Sequence, residues 1–295
     1  MKFFKKYGSF TVVVLAIFIV IGGIIAGGIA FGNKANNLQN NSIPSSATQL
    51  TTEDISITEE TYPETEAVFY EYTEGYPPLL CEFAQDNNLS LSEWPDEVVE
   101  LMEKYPQTEE FVLNYPLLKD KTFEIDISDS GYQYEVPLFI QWDERWGYSP
   151  YGYDMIANAG CGPVCLSMVS AYLLQDPTLD PKTVAEFSMD NGYCAPGDGS
   201  YWSLIYDGGE QLGLNVEEIP LVEQYIIDNL IDGNPIICNV SQGDFTYGGH
   251  FIVLADYVDG KIKINDPNSI ENSEKLWTYE EICDQIEALW VCSVY

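Results

Sequence analysis

Gly160-Cys161-Gly162-Pro163 opens an apolar run, Val164-Cys165-Leu166-Ser167-Met168-Val169-Ser170-Ala171-Tyr172-Leu173-Leu174. Proline suits the first turn of a helix, where its missing N–H would have had no partner. A helix is therefore predicted from Pro163 to Leu174, with Cys161 at or just before its start. The positive end of the helix dipole favours a thiolate there. The flanking glycines would leave room for a carbonyl to approach the sulfur. The plainer alternative is a buried cysteine that starts a core helix. Cys165, one turn on, is read as core packing.

A thiolate nucleophile needs a base, and the chain has one histidine. His250 stands in Gly248-Gly249-His250-Phe251-Ile252-Val253-Leu254, two glycines followed by a strand. A histidine at a strand mouth suits a base facing a cleft, and imidazole titrates in the right range. Such a base is usually oriented by a third group. Asp266, in Asn265-Asp266-Pro267-Asn268, ends the next strand and is the candidate. Asn265, Asn268 and Asp256 are weaker ones. Strand parity sets a condition. Strands Phe251 to Tyr257 and Lys261 to Asn265 meet at Asp259-Gly260, a hairpin signal. A plain two-residue turn would set Asp266 opposite Val253, on the wrong side for His250. The hairpin is therefore predicted to have an odd-length loop or a bulge, with Gly260 at positive φ.

Outward from this centre, residues 131–295 read as an α+β catalytic domain. Further helices are predicted from Ser200 to Leu212 and from Val222 to Asp232. A buried strand is predicted from Ile236 to Val240, and a last helix is capped by Thr278 with Glu281. Residues 66–130 read as a small helical region. One helix would run from Ser92 to Tyr105 before Pro106. A second would open at Thr108 and stop at Pro116. Residues 121–135 read as extended. Residues 32–65, rich in Asn, Ser, Thr and Glu, read as a flexible stalk. Residues 9–31 carry no charge and are long enough to cross a bilayer core. Lys2, Lys5 and Lys6 precede them, which places residues 1–8 in the cytoplasm and the rest outside. Cleavage of a signal peptide near Phe31 is the alternative.

The formal charge is −35, from 12 Lys+Arg and 47 Asp+Glu. Such a surface repels nucleic acid and anionic head groups, so a nucleic-acid partner is excluded. Seven cysteines is an odd number, which leaves at least one thiol free outside the cytoplasm. There is no CxxC pair, and one histidine gives no ordinary zinc site, so no metal or cofactor is expected.

These motifs resemble those of the bacterial papain-like cysteine peptidases related to the bacteriocin-processing, double-glycine leader peptidases. The resemblance rests on Gln141-Trp142, Gly160-Cys161-Gly162-Pro163, Gly249-His250-Phe251-Ile252-Val253-Leu254 and Asp266-Pro267. Residues 94–116 resemble the upstream helical region of membrane-anchored members. The resemblance implies a papain-like fold, with Cys161 as nucleophile, His250 as base and Asp266 as orienting residue. Gln141 as oxyanion donor comes from the resemblance alone. It implies a peptide or protein substrate. Transporter-fused relatives carry an ATPase, and no GxxxxGK[ST] loop occurs here, so cleavage coupled to export is not implied. A cell-wall peptide amidase or acyl transferase, or an inactive surface binding module, are the competing readings.

Overall fold

A computed structural model describes residues 75–295 of the chain. The expected anchor at 9–31 and stalk at 32–65 lie outside these residues. Among the described residues no helix is long and apolar enough to cross a membrane.

The frame is a six-stranded antiparallel sheet. Its strands are β5 (Asn215–Glu218), β6 (Ile236–Val240), β7 (His250–Val258), β8 (Lys261–Asn265), β9 (Leu276–Trp277) and β10 (Ile286–Ser293), in the order β5-β10-β6-β7-β8-β9. Two short ribbons precede it, β1 (Pro150–Tyr151) with β2 (Asp154–Met155) and β3 (Cys194–Ala195) with β4 (Gly199–Ser200). Alternation along the strands gives two cores. Ile237, Phe251, Val253, Trp290 and Cys292 pack with the helix that starts at Cys161. Ile236, Cys238, Ile252, Leu254, Leu289 and Val291 pack with Ile226 and Leu230 on the other face. Period-2 burial on both faces is what a sheet between helices requires.

The helices are α1 (Pro78–Asp86), α2 (Asp96–Lys104), α3 (Glu109–Leu118), α4 (Ile156–Ala159), α5 (Cys161–Leu174), α6 (Pro181–Asp190), α7 (Gly209–Leu212), α8 (Glu223–Ile231), α9 (Ile270–Glu274) and α10 (Tyr279–Ile282). Helix α5 ends at Gln175, which is left-handed at φ 55. The Thr278/Glu281 capping box forms as expected.

Several expected boundaries move. Ser90, not Ser92, caps the upstream segment, and it opens only one 3₁₀ turn, Leu91–Glu93. Pro95 then breaks the chain before α2 begins. Pro116 does not stop α3 but lies inside it. A proline there removes the N–H that would bond the carbonyl four residues back. That carbonyl, Val112 O, accepts instead from Trp94 Nε1 at 2.7 Å in a buried position. The expected helix from Ser200 is a π-turn, Leu204–Gly208, running into α7. Residues 121–135 are irregular, with a 3₁₀ turn at Ser128–Ser130. Helices α1 and α6 were not signalled by the pattern, although Asp180 caps α6 from Oδ1 to the Lys182 and Thr183 N–H groups.

The hairpin meets the parity condition through a bulge. Asp259 and Gly260 form a two-residue turn, both at positive φ (53 and 80), with Val258 paired to Lys261. Further along, the register shifts between Leu254 and Asp256, leaving Ala255 as the extra residue. Val253 then pairs with Asn265, which sets Asp266 level with Ile252 and on the side of His250. Of the two expected devices, an odd-length loop or a bulge, the structure uses the bulge, with Gly260 at positive φ as expected; the turn itself has two residues.

Candidate active site

Cys161 is the first residue of α5, and its backbone N–H has no acceptor within the helix. The glycines around it are required by packing. A Cβ at Gly160 would lie 2.6 Å from Ile156 Cγ2 and O. One at Gly162 would lie 2.5 Å from Ser200 Oγ. No real Cβ tolerates such contacts, so both positions need glycine for the helix to start here. Gly248 and Gly249 differ, since a Cβ at either would meet nothing within 4 Å. They leave the space beside His250 open.

The His250 ring is buried at the mouth of β7, and its Nε2 meets Asp266 Oδ1 at 2.8 Å. That leaves Nδ1 for the Cys161 thiol, which is close enough for the two groups to shift each other's titration. Burial alone would push the thiol up. The hydrogen bond and charge of His250, helped by the backbone N–H groups of Phe251 and Gly162, overcome this and leave it below its ordinary value. Burial likewise opposes the charged imidazole, and Asp266 with Cys161 overrides it, so His250 is raised. Both shifts run toward a thiolate beside an imidazolium.

Asp266 is fully buried. Its Oδ1 also accepts from Asn268 N at 2.9 Å, and its Oδ2 from Asn272 Nδ2 at 2.8 Å. Its own N–H donates to Ser273 Oγ at 2.9 Å. Ser269 caps α9, whose first turn carries Asn272 to the carboxylate. Asn265 is not the orienting group. Its Nδ2 donates to the carbonyls of Val136 and Pro137, both at 3.0 Å. Together with Gln141 N to Pro267 O at 2.7 Å, these bonds strap residues 136–141 across the end of β8. That strap delivers Gln141 to the site. Its Nε2 donates one hydrogen to Ala157 O at 2.6 Å and retains a second, while Oε1 has no partner. Asp256 lies beyond the bulge and accepts from Tyr257 N.

Cys161, His250, Asn268 and Gln141 share one cleft of about 390 Å³. Another wall is helix α2 with its cap, through Glu97, Leu101 and Tyr105. The Tyr105 hydroxyl lies beside the Asn268 amide and is raised by burial and then by the Asp266 charge. Sequence reasoning missed this wall, as it missed Asn272 and Ser273. The Ser269 cap signal was the one clue to the last two. Cys165 is core, as expected, with its thiol on Phe251 O at 3.2 Å. All seven cysteines are free. Among the described residues no cluster of three or more His, Cys, Asp or Glu suits a metal ion.

No curated protein matches the chain. Among solved structures, the peptidase domain of Streptococcus ComA, a bi-functional ABC transporter involved in a quorum-sensing pathway, is similar at 18% identity. That match covers 46% of this chain and 93% of that one, with a TM-score of 0.36. A putative C39-like peptidase from Bacillus anthracis is similar at 16% identity, over 53% of this chain and 94% of that one, with a TM-score of 0.32. The profile of the Peptidase_C39 like family matches residues 133–294, a span that holds the strap, the Cys161 helix, His250 and Asp266. The chain belongs to the Peptidase_C39 like family.

Proposed function

We propose that the chain is a cysteine peptidase in which Cys161 is the nucleophile, His250 the acid and base, Asp266 the orienting residue and Gln141 an oxyanion donor. The observation that carries this reading is the buried imidazole–carboxylate pair, with Nε2 at 2.8 Å from Asp266 Oδ1, in one cleft with Cys161 at a helix start. The Cys161 thiolate attacks the peptide carbonyl carbon. The oxyanion accepts from Cys161 N–H and from the second Gln141 Nε2 hydrogen. His250 gives its Nδ1 proton to the leaving amine as the C–N bond breaks. The same nitrogen then takes a proton from water, which attacks the thioester and frees the acid and the thiol. Asp266 holds the ring by Nε2 throughout. The test is hydrolysis of a peptide library. Activity should be blocked by iodoacetamide, untouched by fluorophosphonates and absent in Cys161→Ala. Cleavage that survives in Cys161→Ala would sink the reading.

The catalytic unit is placed outside the cytoplasm on the charge flanking residues 9–31. Protease added to intact cells should release it by cutting within residues 32–65. Full protection would reverse the orientation.

A further inference from the structure

Helix α9 grips the orienting carboxylate, and it spans only five residues, Ile270–Glu274. A helix of that length is unstable alone, so its place depends on bonds from outside. Its Asn272 donates to Asp266 Oδ2 at 2.8 Å, and its Ser273 Oγ accepts from Asp266 N at 2.9 Å. The Ser269 cap on Asn272 N and the bond from Ser273 Oγ to Ser269 O at 2.8 Å hold this unit together but move with it. Two bonds of 3.0 Å pin the unit to other elements. At one point Trp277 Nε1, in β9, donates to Asn272 O. At the start of the helix Ile270 N donates to Gln107 Oε1. Trp142 Nε1 on Asn268 O and Asn272 Nδ2 on Asp244 O are longer, both at 3.4 Å.

Ile270 N is the first amide of α9 and has no acceptor inside the helix. Its acceptor comes from the upstream helices, 163 residues earlier in the chain. Gln107 sits in the 3₁₀ turn Pro106–Thr108, between α2 and α3. Thr108, fully buried, closes that turn on Tyr105 O through its N–H at 2.9 Å and its hydroxyl at 2.8 Å. The turn therefore offers Gln107 from a fixed base. Gln107 itself is exposed, uncharged and not among the residues that line the cleft. Building on the peptidase reading, we propose that Gln107 is a positioning residue. By capping α9 it holds Asn272 and Ser273 on Asp266, and so holds Asp266 on Nε2 of His250. The upstream helices thus act on the catalytic pair through a bond that lies outside the cleft.

The test uses the full chain at about 0.5 M salt, where exposed charges are screened. Gln107→Met keeps the reach of the side chain and loses the acceptor. Its kcat should fall by about 3- to 10-fold, the span of one net hydrogen bond, with KM unmoved. The charges acting on the His250 ring are Asp266 and Cys161, and Gln107→Met alters neither. The alkaline limb of its pH–rate profile should still move down, because a looser Asp266 raises the ring less. Gln107→Glu can accept from Ile270 N and should restore both kcat and the limb. Trp94→Phe, which loosens the same helices elsewhere, should leave the limb in place. Wild-type kcat and limb in Gln107→Met overturn the proposal. So do a Gln107→Glu that fails to restore them and a limb that moves as far in Trp94→Phe. If the wild type cleaves no peptide, the peptidase reading fails separately. Positioning is then read from iodoacetamide labelling of Cys161 across pH, followed by mass spectrometry. The titration should move up in Gln107→Met, since the charge of His250 helps to lower the thiol, and should return in Gln107→Glu. An unmoved titration in Gln107→Met overturns the proposal on its own.

Discussion

Asp266 combines full burial with bonds from an imidazole, a backbone amide and a side-chain amide. Its oxygens orient the ring and its charge raises the ring's pKa, and substitutions separate the two effects. Asp266→Asn can still accept from Nε2, so kcat/KM should fall by about 10-fold, whereas Asp266→Ala should lose about 100-fold or more. In both, the alkaline limb of the pH–rate profile should move down, because the charge that raises His250 is gone. An unmoved limb would show that the ring does not depend on the carboxylate. The thiol makes a second prediction. Its pKa is lowered, so labelling of Cys161 by iodoacetamide should persist well below pH 8.5, the usual thiol value of about 8.5. In His250→Ala only burial and the backbone N–H groups remain, so the titration should move up. Linkage gives the same signs. The lowered thiol contributes stability above its unfolded pKa that is lost as pH falls through the folded value. The raised imidazole contributes below about 6.5 and is lost as pH rises through its folded value. Cys161, His250 and Asp266 were legible because each stands at an element end beside turn residues. Gln141 was not, since its place depends on bonds from Asn265 and Pro267, over a hundred residues away. The packing need for glycine at 160 and 162 was not legible, because local pattern does not show Ile156 and Ser200 pressing on them.

At the scale of elements, the proline inside α3 and the tryptophan before α2 act as one device. Trp94→Phe removes the donor to Val112 O and should destabilise the protein by about 1–3 kcal/mol in urea unfolding. Pro116→Ala restores a backbone N–H, so Trp94→Phe should cost less in that background. Additive losses in the double-mutant cycle would show that the two are not coupled. The sequence read Pro116 as a stop because a proline in a helix normally costs its hydrogen bond, and the replacement donor lies 22 residues upstream. The hairpin shows the opposite balance. Period-2 alternation fixed which faces His250 and Asp266 must share, and so required a shift, yet nothing local marked Ala255 as the place for it. Strands β6, β7 and β8 carried strong β-branched runs. The four residues of β5 and the two of β9 were too short to show a period.

Among the described residues, the upstream helices share a core with residues 131–295. Leu80, Trp94, Val98, Phe111 and Val112 pack with Tyr148, Met155 and Ala157, and Phe111 stacks on Tyr148 at 4.1 Å. Residues 131–295 expressed alone should therefore lose apolar cover as well as the Tyr105 wall. They should be less soluble and melt lower than residues 75–295, by calorimetry. Equal melting temperatures would make the helices an independent appendage. The chain also has a single histidine, buried against Asp266. In a proton NMR spectrum the imidazole region would then hold one set of signals from one place, free of overlap and needing no assignment. Those signals should stay at imidazolium shifts through pH 7, and their titration should move to lower pH when Cys161 is capped and its counter-charge removed, with Asp266 still in place.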